Sequence, residues 1–426
     1  MVAIQCAFGM VLLIVNAKNK KHCTVGYNMI TSQQRSIIAL LASSLLLTIG
    51  RGATLPFMTI YLNSQYGMAV DQVGFAMTVA MTVGVVFSLG FGILADKFDK
   101  KRYMLIAITI FVVSFIGIPL SHNAVLVVIL FSIINCAYSV FATVVKAYFS
   151  DTLAPAAKSK VFSLNYSFLN IGWTIGPPLG TLLVMQSSQL PFWLAAACAA
   201  FPLVFIQIWV QRVMVKHEEE TLQPWSPSLL LHDKALLWFT LSGMLASFAS
   251  GSFASCISQY VMAVADNAFA QKVVALVLPV NAVIVVMFQY VIGRTLRADN
   301  IRPMMAVGTL CFVLGLLGFM ISGSQLWLWG LSAAVFTVGE IIYAPGEYML
   351  IDHIAPPGMK ASYFSAQALG WLGAAMNPLA TGIILTTLPG WTLFAILAAT
   401  IVLAWLMMLR GMQIRPWDSG LSAAKA

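Results

Sequence analysis

A chain of 426 residues that is 60% hydrophobic and only 9% charged cannot bury its apolar surface in one water-soluble core. Its mean hydropathy of +0.90 predicts that lipid solvates much of that surface. The net charge of +9 would suit a nucleic-acid partner, but the basic residues are distributed as membrane topology requires. Composition therefore predicts a membrane protein without a nucleic-acid partner. The six cysteines show no spacing typical of a metal or redox site.

Twelve apolar stretches are each long enough for the roughly 20 residues that a bilayer demands. They are 36–62, 71–95, 103–121, 124–149, 160–186, 191–211, 235–261, 272–293, 303–322, 326–351, 361–387 and 391–409. With the N-terminus inside, every Lys and Arg except Arg51, Lys146 and Lys272 falls on the cytoplasmic side. The pattern predicts an all-α membrane protein of twelve transmembrane helices with both termini in the cytoplasm.

Hydrophilic stretches divide the chain into two six-helix bundles. Residues 1–28 are an N-terminal extension, predicted not to be part of the fold, since their apolar run is too short to span; translation could begin at Met29. The predicted divisions are a first bundle at 29–211, a cytoplasmic linker at 212–234, a second bundle at 235–410 and a cytoplasmic tail at 411–426.

The first span carries Arg51 about fifteen residues from its start, which helix rise places about 20 Å deep. An arginine at that depth costs several kcal/mol unless it faces protein or water, which favours a functional residue. The alternative is a structural arginine, satisfied by carbonyl oxygens where Gly50, Gly52 and Pro56 loosen the helix.

The second span ends in a glycine, an aspartate four residues later and a basic cluster: Gly92, Asp96, Lys97, Lys100, Lys101 and Arg102. This segment resembles the loop 2–3 signature of the major facilitator superfamily, with Asp99 where the family usually has a second glycine. The resemblance implies that Asp96 pairs with helix ends and loop cations, and so latches the cytoplasmic side in the outward-facing state. The alternative is a plain stop-transfer cluster.

The fifth span contains glycines four residues apart and a proline pair, with Gly172, Gly176, Pro177 and Gly180 as its main positions. Such glycines let helices touch backbone to backbone, and the prolines block regular hydrogen bonding. The segment resembles the signature of exporters in the same superfamily. In the fourth span, Asn135 stands where many family members carry an arginine, so that motif is absent.

The two halves are faint copies of each other. A shift of 201 positions places Asp151 on Asp352, and it places Lys146 on Glu347. Glycine and proline positions also match, and these residues fix backbone geometry. The match predicts a duplicated bundle, and such bundles usually move solutes at the seam between their halves.

The tenth span carries Glu340 and Glu347, seven residues apart and therefore on one helix face. Glu340 is predicted to lie about 18 Å deep, close to the depth of Arg51. Desolvation there favours protonation of a carboxylate, so we predict that Glu340 is the main proton carrier and that Arg51 could hold it ionised. Glu347 is the first alternative carrier. Lys146 and Glu347 are also predicted to form a cytoplasmic gate; otherwise each caps its own helix end or meets lipid phosphate.

Residues from about Met29 to Trp417 resemble bacterial drug and dipeptide exporters of the major facilitator superfamily. The resemblance implies a multi-pass protein of the bacterial inner membrane, acting as a monomer, that exports small amphipathic solutes by proton antiport and needs no cofactor besides the proton gradient. An importer or uniporter of a small polar solute on the same fold is an alternative. A membrane-embedded enzyme is disfavoured because the periplasmic loops are very short, and ATP drive because the chain has no nucleotide-binding loop.

Overall fold

The computed structural model of the protein describes residues 31–68, 70–212, 228–250, 253–264, 267–297 and 299–415, and these contain helices but no strands. The predicted extension at 1–28 lies outside them. In chain order the helices are α1 Ser32–Tyr66, α2 Val70–Leu94, α3 Lys100–Leu120, α4 Ala124–Thr152, α5 Pro155–Val184, α6 Leu190–Trp209, α7 Ser228–His232, α8 Lys234–Ser250, α9 Phe253–Val264, α10 Asn267–Thr295, α11 Ile301–Ile321, α12 Leu326–Ile354, α13 Lys360–Ala368, α14 Trp371–Thr387 and α15 Trp391–Ile414. A short 3-10 turn, Ala95–Lys97, joins α2 to the loop before α3.

Ten stretches among the described residues are long and apolar enough to cross a membrane. The other two predicted spans correspond to α5, which is rich in Ser, Asn and Gly, and to α8 with α9. The predicted eleventh span, 361–387, is not one continuous helix. It divides into α13 and α14 because Leu369 and Gly370 form tight turns, their backbone N–H groups donating to Ala366 and Gln367 carbonyls at 3.1 and 2.9 Å.

Following the predicted division of the chain, we call α1–α6 the first half and α7–α15 the second half. Within the first half α1 packs on α5 and α6, and within the second half α8 packs on α14 and α15. Between the halves, α5 packs on α10 and α12, while α13 packs on α2 and α4. The duplication exchanges these two sets of contacts, so the seam has the two-fold relation that the repeat predicts.

Two glycines, related by the same 201 positions, allow the halves to approach closely. A Cβ atom on Gly92 would lie 2.8 Å from Ser365 Cβ, and one on Gly293 would lie 2.3 Å from Ser163 Cβ, closer than real Cβ atoms approach. Neither glycine could carry a side chain without moving a helix of the other half. Each glycine therefore marks a crossing point at the seam, α2 on α13 and α10 on α5.

The glycines of α5 pack against α1; the sequence predicts a close helix approach there but not the partner helix. A Cβ atom on Gly172 would lie 2.7 Å from Thr48 Cβ, and one on Gly180 would lie 2.2 Å from the carbonyl oxygen of Ala53. Pro177 lies beside Gly52, whose own added Cβ would be 3.3 Å from the Pro177 Cδ. The two backbones are in contact, which leaves no room for larger side chains.

We expect Gly176→Ala to lower the thermal unfolding temperature of the purified protein in detergent by several degrees. The added methyl group would lie 2.8 Å from Gly52 Cα and from the Ile49 carbonyl oxygen, so the helices must separate. Overpacking of this kind costs about 1–3 kcal/mol. The matched control is Gly90→Ala in α2, where an added Cβ has nothing within 4 Å. Equal unfolding temperatures for the two variants would contradict the packing argument.

Candidate functional site

One end of the bundle carries most of the cations near the seam, and we call it the basic face; the sequence predicts it to be cytoplasmic. Its members are Lys97, Lys100, Lys101, Arg102, Lys158, Lys160, Arg294, Arg297 and Lys360. They lie at the α2–α3 connection, at the starts of α5 and α13, and at the end of α10. Several polar contacts between the two halves lie at this face.

Asp96 caps a helix of the opposite half. Its carboxylate accepts hydrogen bonds from the backbone N–H groups of Ala361 and Ser362, at 2.9 and 2.7 Å, and from the Ser362 hydroxyl at 2.7 Å. These donors belong to the first turn of α13, where unpaired N–H groups and the helix dipole favour an anion. The helix-end partner that the sequence resemblance implies for Asp96 is therefore α13.

The rest of the α2–α3 connection is held within the first half. The buried Lys100 ammonium lies 3.9 Å from Asp96 Oδ1 and 2.8 Å from Asp151 Oδ2. The Lys101 ammonium donates to the Gln207 carbonyl at 2.8 Å. Asp99, which replaces the family's second glycine, has a φ of −57° and caps α3 by accepting from the Lys101 backbone N–H at 3.0 Å. No glycine is required at Asp99, so the departure from the family signature leaves this turn regular.

Asp352, the counterpart of Asp151 in the second half, ties the halves together. Its carboxylate lies 2.7 Å from the Lys158 ammonium of α5 and 3.3 Å from the Lys360 ammonium of α13. The Ser150 hydroxyl of α4 also donates to Asp352. The duplication pointed to Asp352 by matching it to Asp151, but Lys158 and Ser150 were not predicted as its partners.

Lys146 and Glu347 belong to one cluster, but Gln367 lies between them. The Lys146 ammonium donates to Gln367 Oε1 at 3.5 Å, and Gln367 Nε2 donates to Glu347 Oε2 at 3.3 Å. Lys146 also lies over the Tyr348 ring, 4.3 Å from its centroid. Among the described residues Lys146 and Glu347 form no ion pair within 4.0 Å. The predicted pairing is therefore indirect, because Gln367 fills the space between the two charges.

Glu347 retains one unused acceptor. Its Oε1 atom is buried and has no hydrogen-bond partner within the described part of the chain. On the side of α8, a Cβ atom on Gly243 would lie 3.3 Å from Oε1. A buried acceptor without a partner is costly, so displacement of the Gln367 amide would leave the Glu347 carboxylate with only the nearby Lys146 charge to stabilise it.

Glu340 accepts hydrogen bonds from neutral groups on two other helices. The Tyr166 hydroxyl of α5 donates to Glu340 Oε1, and the Asn281 amide of α10 donates to Oε2 at 2.7 Å. Asn281 also lies 3.0 Å from the Thr337 hydroxyl, which fixes the orientation of its amide. The contact with Tyr166 crosses between the halves. Neither Tyr166 nor Asn281 was predicted, since an uncharged residue in an apolar helix gives no signal of this kind.

Arg51 lies in a different cluster from Glu340. Its Nη2 atom donates to Asn135 Oδ1 at 3.0 Å, and its guanidinium lies 4.5 Å from the centroid of the Tyr138 ring and 5.5 Å from that of Trp173. The structure gives no ion pair between Arg51 and Glu340 among the residues it describes. Equal depth therefore did not bring the two charges together, whereas Arg51 and Asn135, both candidates from the sequence, are in direct contact.

Comparison with known proteins shows which family and which relatives this chain is similar to. A family model described as Major Facilitator Superfamily matches residues 40–376. The chain is 70% identical over 386 residues to the uncharacterized MFS-type transporter YdeE of Escherichia coli (strain K12), which covers 91% of this chain and 98% of that protein. It is 23% identical to a Na(+), Li(+), K(+)/H(+) antiporter of Planococcus maritimus, over 82% and 89% of the two chains. It is 22% identical to the quinolone resistance protein NorA of Staphylococcus aureus (strain Mu50 / ATCC 700699), over 53% and 58%.

Solved structures show the same fold at low sequence identity. A bacterial homologue of the iron transporter ferroportin, in an outward-facing state, has a TM-score of 0.73 at 13% identity and covers 88% of this chain and 99% of that one. The human organic anion transporter MFSD10 has a TM-score of 0.71 at 17% identity with the same coverage. With a family match across most of its length and a relative at 70% identity, this chain belongs to the major facilitator superfamily, and it is a multi-pass membrane transporter.

Proposed function

We propose that the protein exports small amphipathic solutes, such as drugs or small peptides, across the bacterial inner membrane in exchange for protons. The observation that carries the proposal is Glu340, a carboxylate at the seam between the halves whose hydrogen-bond donors, Tyr166 and Asn281, are both neutral. An antiporter of cations and protons and a quinolone resistance protein among the relatives support exchange and export.

The geometry around Glu340 links protonation to conformation. Asn281 and Glu340 lie in the same half, so their hydrogen bond can persist when the halves move apart, whereas the bond from Tyr166 crosses the seam. A hydroxyl that donates to a carboxylate stabilises its ionised form. A proton on Glu340 removes the charge that this hydrogen bond stabilises, so it weakens the contact across the seam and favours the state in which the halves are separated there.

The basic face is closed in this structure, which supports its assignment to an outward-facing state. The hydrogen bonds from the α13 backbone to Asp96 and the ion pair between Lys158 and Asp352 hold the two halves together there. Hydrogen bonds to charged groups contribute about 1.5–3 kcal/mol each after exchange with water is counted. Opening the face therefore requires a bound solute or a proton on Glu340 to interact more favourably with the open state.

The test is uptake of labelled solutes into everted membrane vesicles from cells that express the protein. A growth-inhibition panel of dipeptides and antibiotics, in a strain without its other pumps, selects the solutes. Export by proton exchange predicts accumulation in the vesicles that an uncoupler abolishes. Accumulation in whole cells that an uncoupler abolishes would indicate import. Equilibration that is insensitive to the uncoupler would indicate a uniporter.

A further inference from the structure

The guanidinium of Arg51 has no carboxylate within ion-pair distance among the residues that the structure describes. Its Nη2 atom donates instead to the neutral side chain of Asn135 at 3.0 Å. Its Nε atom is buried and has no hydrogen-bond partner in the described part of the chain. Burial of a cation without a counter-charge, and of an N–H donor without an acceptor, has a cost in free energy. Such residues in membrane helices usually mark a binding or transport function.

A purely structural role does not account for these contacts. That role would need carbonyl oxygens from a loosened helix near Gly50 and Gly52, but α1 is continuous from Ser32 to Tyr66. The hydrogen bond to Asn135 does link α1 to α4, yet an uncharged side chain could make the same link without the cost of a buried charge. What distinguishes this site is the positive charge.

The aromatic rings beside Arg51 lie on helix faces that point to the opposite half. Trp173 is seven residues from Tyr166 on α5, so both lie on the face that reaches Glu340. Tyr138 is eight residues from Lys146 on α4, and Lys146 reaches Gln367 in the second half. Trp173 is 37% exposed, so protein covers only part of its ring. Trp173 therefore faces the space between the halves, and the Arg51 guanidinium lies beside it and beside Tyr138.

We propose that Arg51 is a carboxylate-binding subsite of this space, and that the protein takes solutes carrying a carboxylate next to an aromatic or apolar group. The proposal deepens the proposed transport function and rests on it. A guanidinium presents paired N–H donors that match a carboxylate, and it binds this group more specifically than an ammonium does. The rings of Tyr138 and Trp173 provide the apolar surface for the rest of the solute, while Asn135 orients the guanidinium.

The test compares two probes that differ only in charge, hippurate and its neutral amide hippuramide. Their binding to the purified protein in detergent is measured by isothermal titration calorimetry at low ionic strength. We expect the wild type to bind hippurate at least tenfold more tightly than hippuramide. Arg51→Gln should bind both probes equally weakly, and Arg51→Lys should retain only part of the preference. Arg212→Gln, which removes an exposed arginine outside the site, should leave the preference unchanged.

A second substitution tests the same site with Arg51 in place, so the test does not depend on correct folding of the arginine variants. Trp173→Ala changes an exposed side chain and should weaken the binding of both probes by a similar factor. The ratio of the two affinities should therefore stay the same. A wild type that does not discriminate between the probes, or an Arg51→Gln protein that unfolds normally and still prefers hippurate, would overturn the proposal. The assay needs no proton gradient, so failure of proton-coupled export in vesicles leaves this result unaffected, and the two proposals can fail separately.

Discussion

Glu340→Gln should reduce proton-driven export in everted vesicles to the background of vesicles without the protein. Glutamine keeps the size of the side chain and can still accept from Tyr166, but it cannot bind and release a proton. Exchange of labelled for unlabelled solute, which needs no net proton movement, should persist. The measurement is therefore a pair of rates, accumulation and exchange, from the same vesicles.

Two further variants sharpen this result. Glu340→Asp keeps a carboxyl group but withdraws it from Tyr166 and Asn281, so coupled export should fall several-fold without disappearing. Asn281→Ala removes the donor at 2.7 Å but leaves the carboxyl group in place, so coupling should also survive in part. Coupled export near the wild-type rate in Glu340→Gln would show that another group carries the proton. Glu347 is then the first to examine, because its buried Oε1 atom has no partner among the described residues.

The features that sequence reasoning recovered depend on residues that constrain the backbone. Two glycines four residues apart, Gly172 and Gly176, indicate that α5 closely approaches another helix. The structure shows that this helix is α1. The duplication rests on similar residues, and it matched Asp151 to Asp352, which both became centres of ion pairs at the basic face. Asp96 was found because its spacing from the basic cluster matches a known family signature.

The partners of the buried charges could not be predicted in the same way. Depth follows from counting residues along a helix, but contact also depends on how each helix is rotated and which neighbour it faces. Arg51 and Glu340 have matching predicted depths and nevertheless lie in separate clusters. Asn135 was a candidate only because it stands where relatives carry an arginine, and its contact with Arg51 was not predicted. Tyr166, Asn281 and Gln367 are neutral residues in apolar helices, and such residues resemble any other packing position.

Charge reversal at Lys146 should open the basic face. Lys146→Glu would put a second carboxylate beside Gln367, which already contacts Glu347, and two like charges in a buried cluster repel strongly. A partly desolvated interaction of about 1–3 kcal/mol shifts a two-state population by about five- to 150-fold. The readout is labelling by a membrane-impermeant maleimide of Ser365→Cys, a position at the α2–α13 crossing that is 1% exposed here. Labelling from the basic side should become about tenfold faster.

The double exchange Lys146→Glu with Glu347→Lys should return labelling and transport toward the parent values, although Glu347→Lys alone should open the face as well. The reason is the amide between them: Gln367 offers one donor and one acceptor, so turning it over lets the same side chain serve the exchanged charges. Lys272→Glu, at an exposed lysine near the start of α10, controls for the change in net charge and should label at the parent rate. If the double exchange labels as fast as either single variant, the charges do not act through Gln367 as a pair, and the gate must rest on the contacts of Asp96 and Asp352 alone.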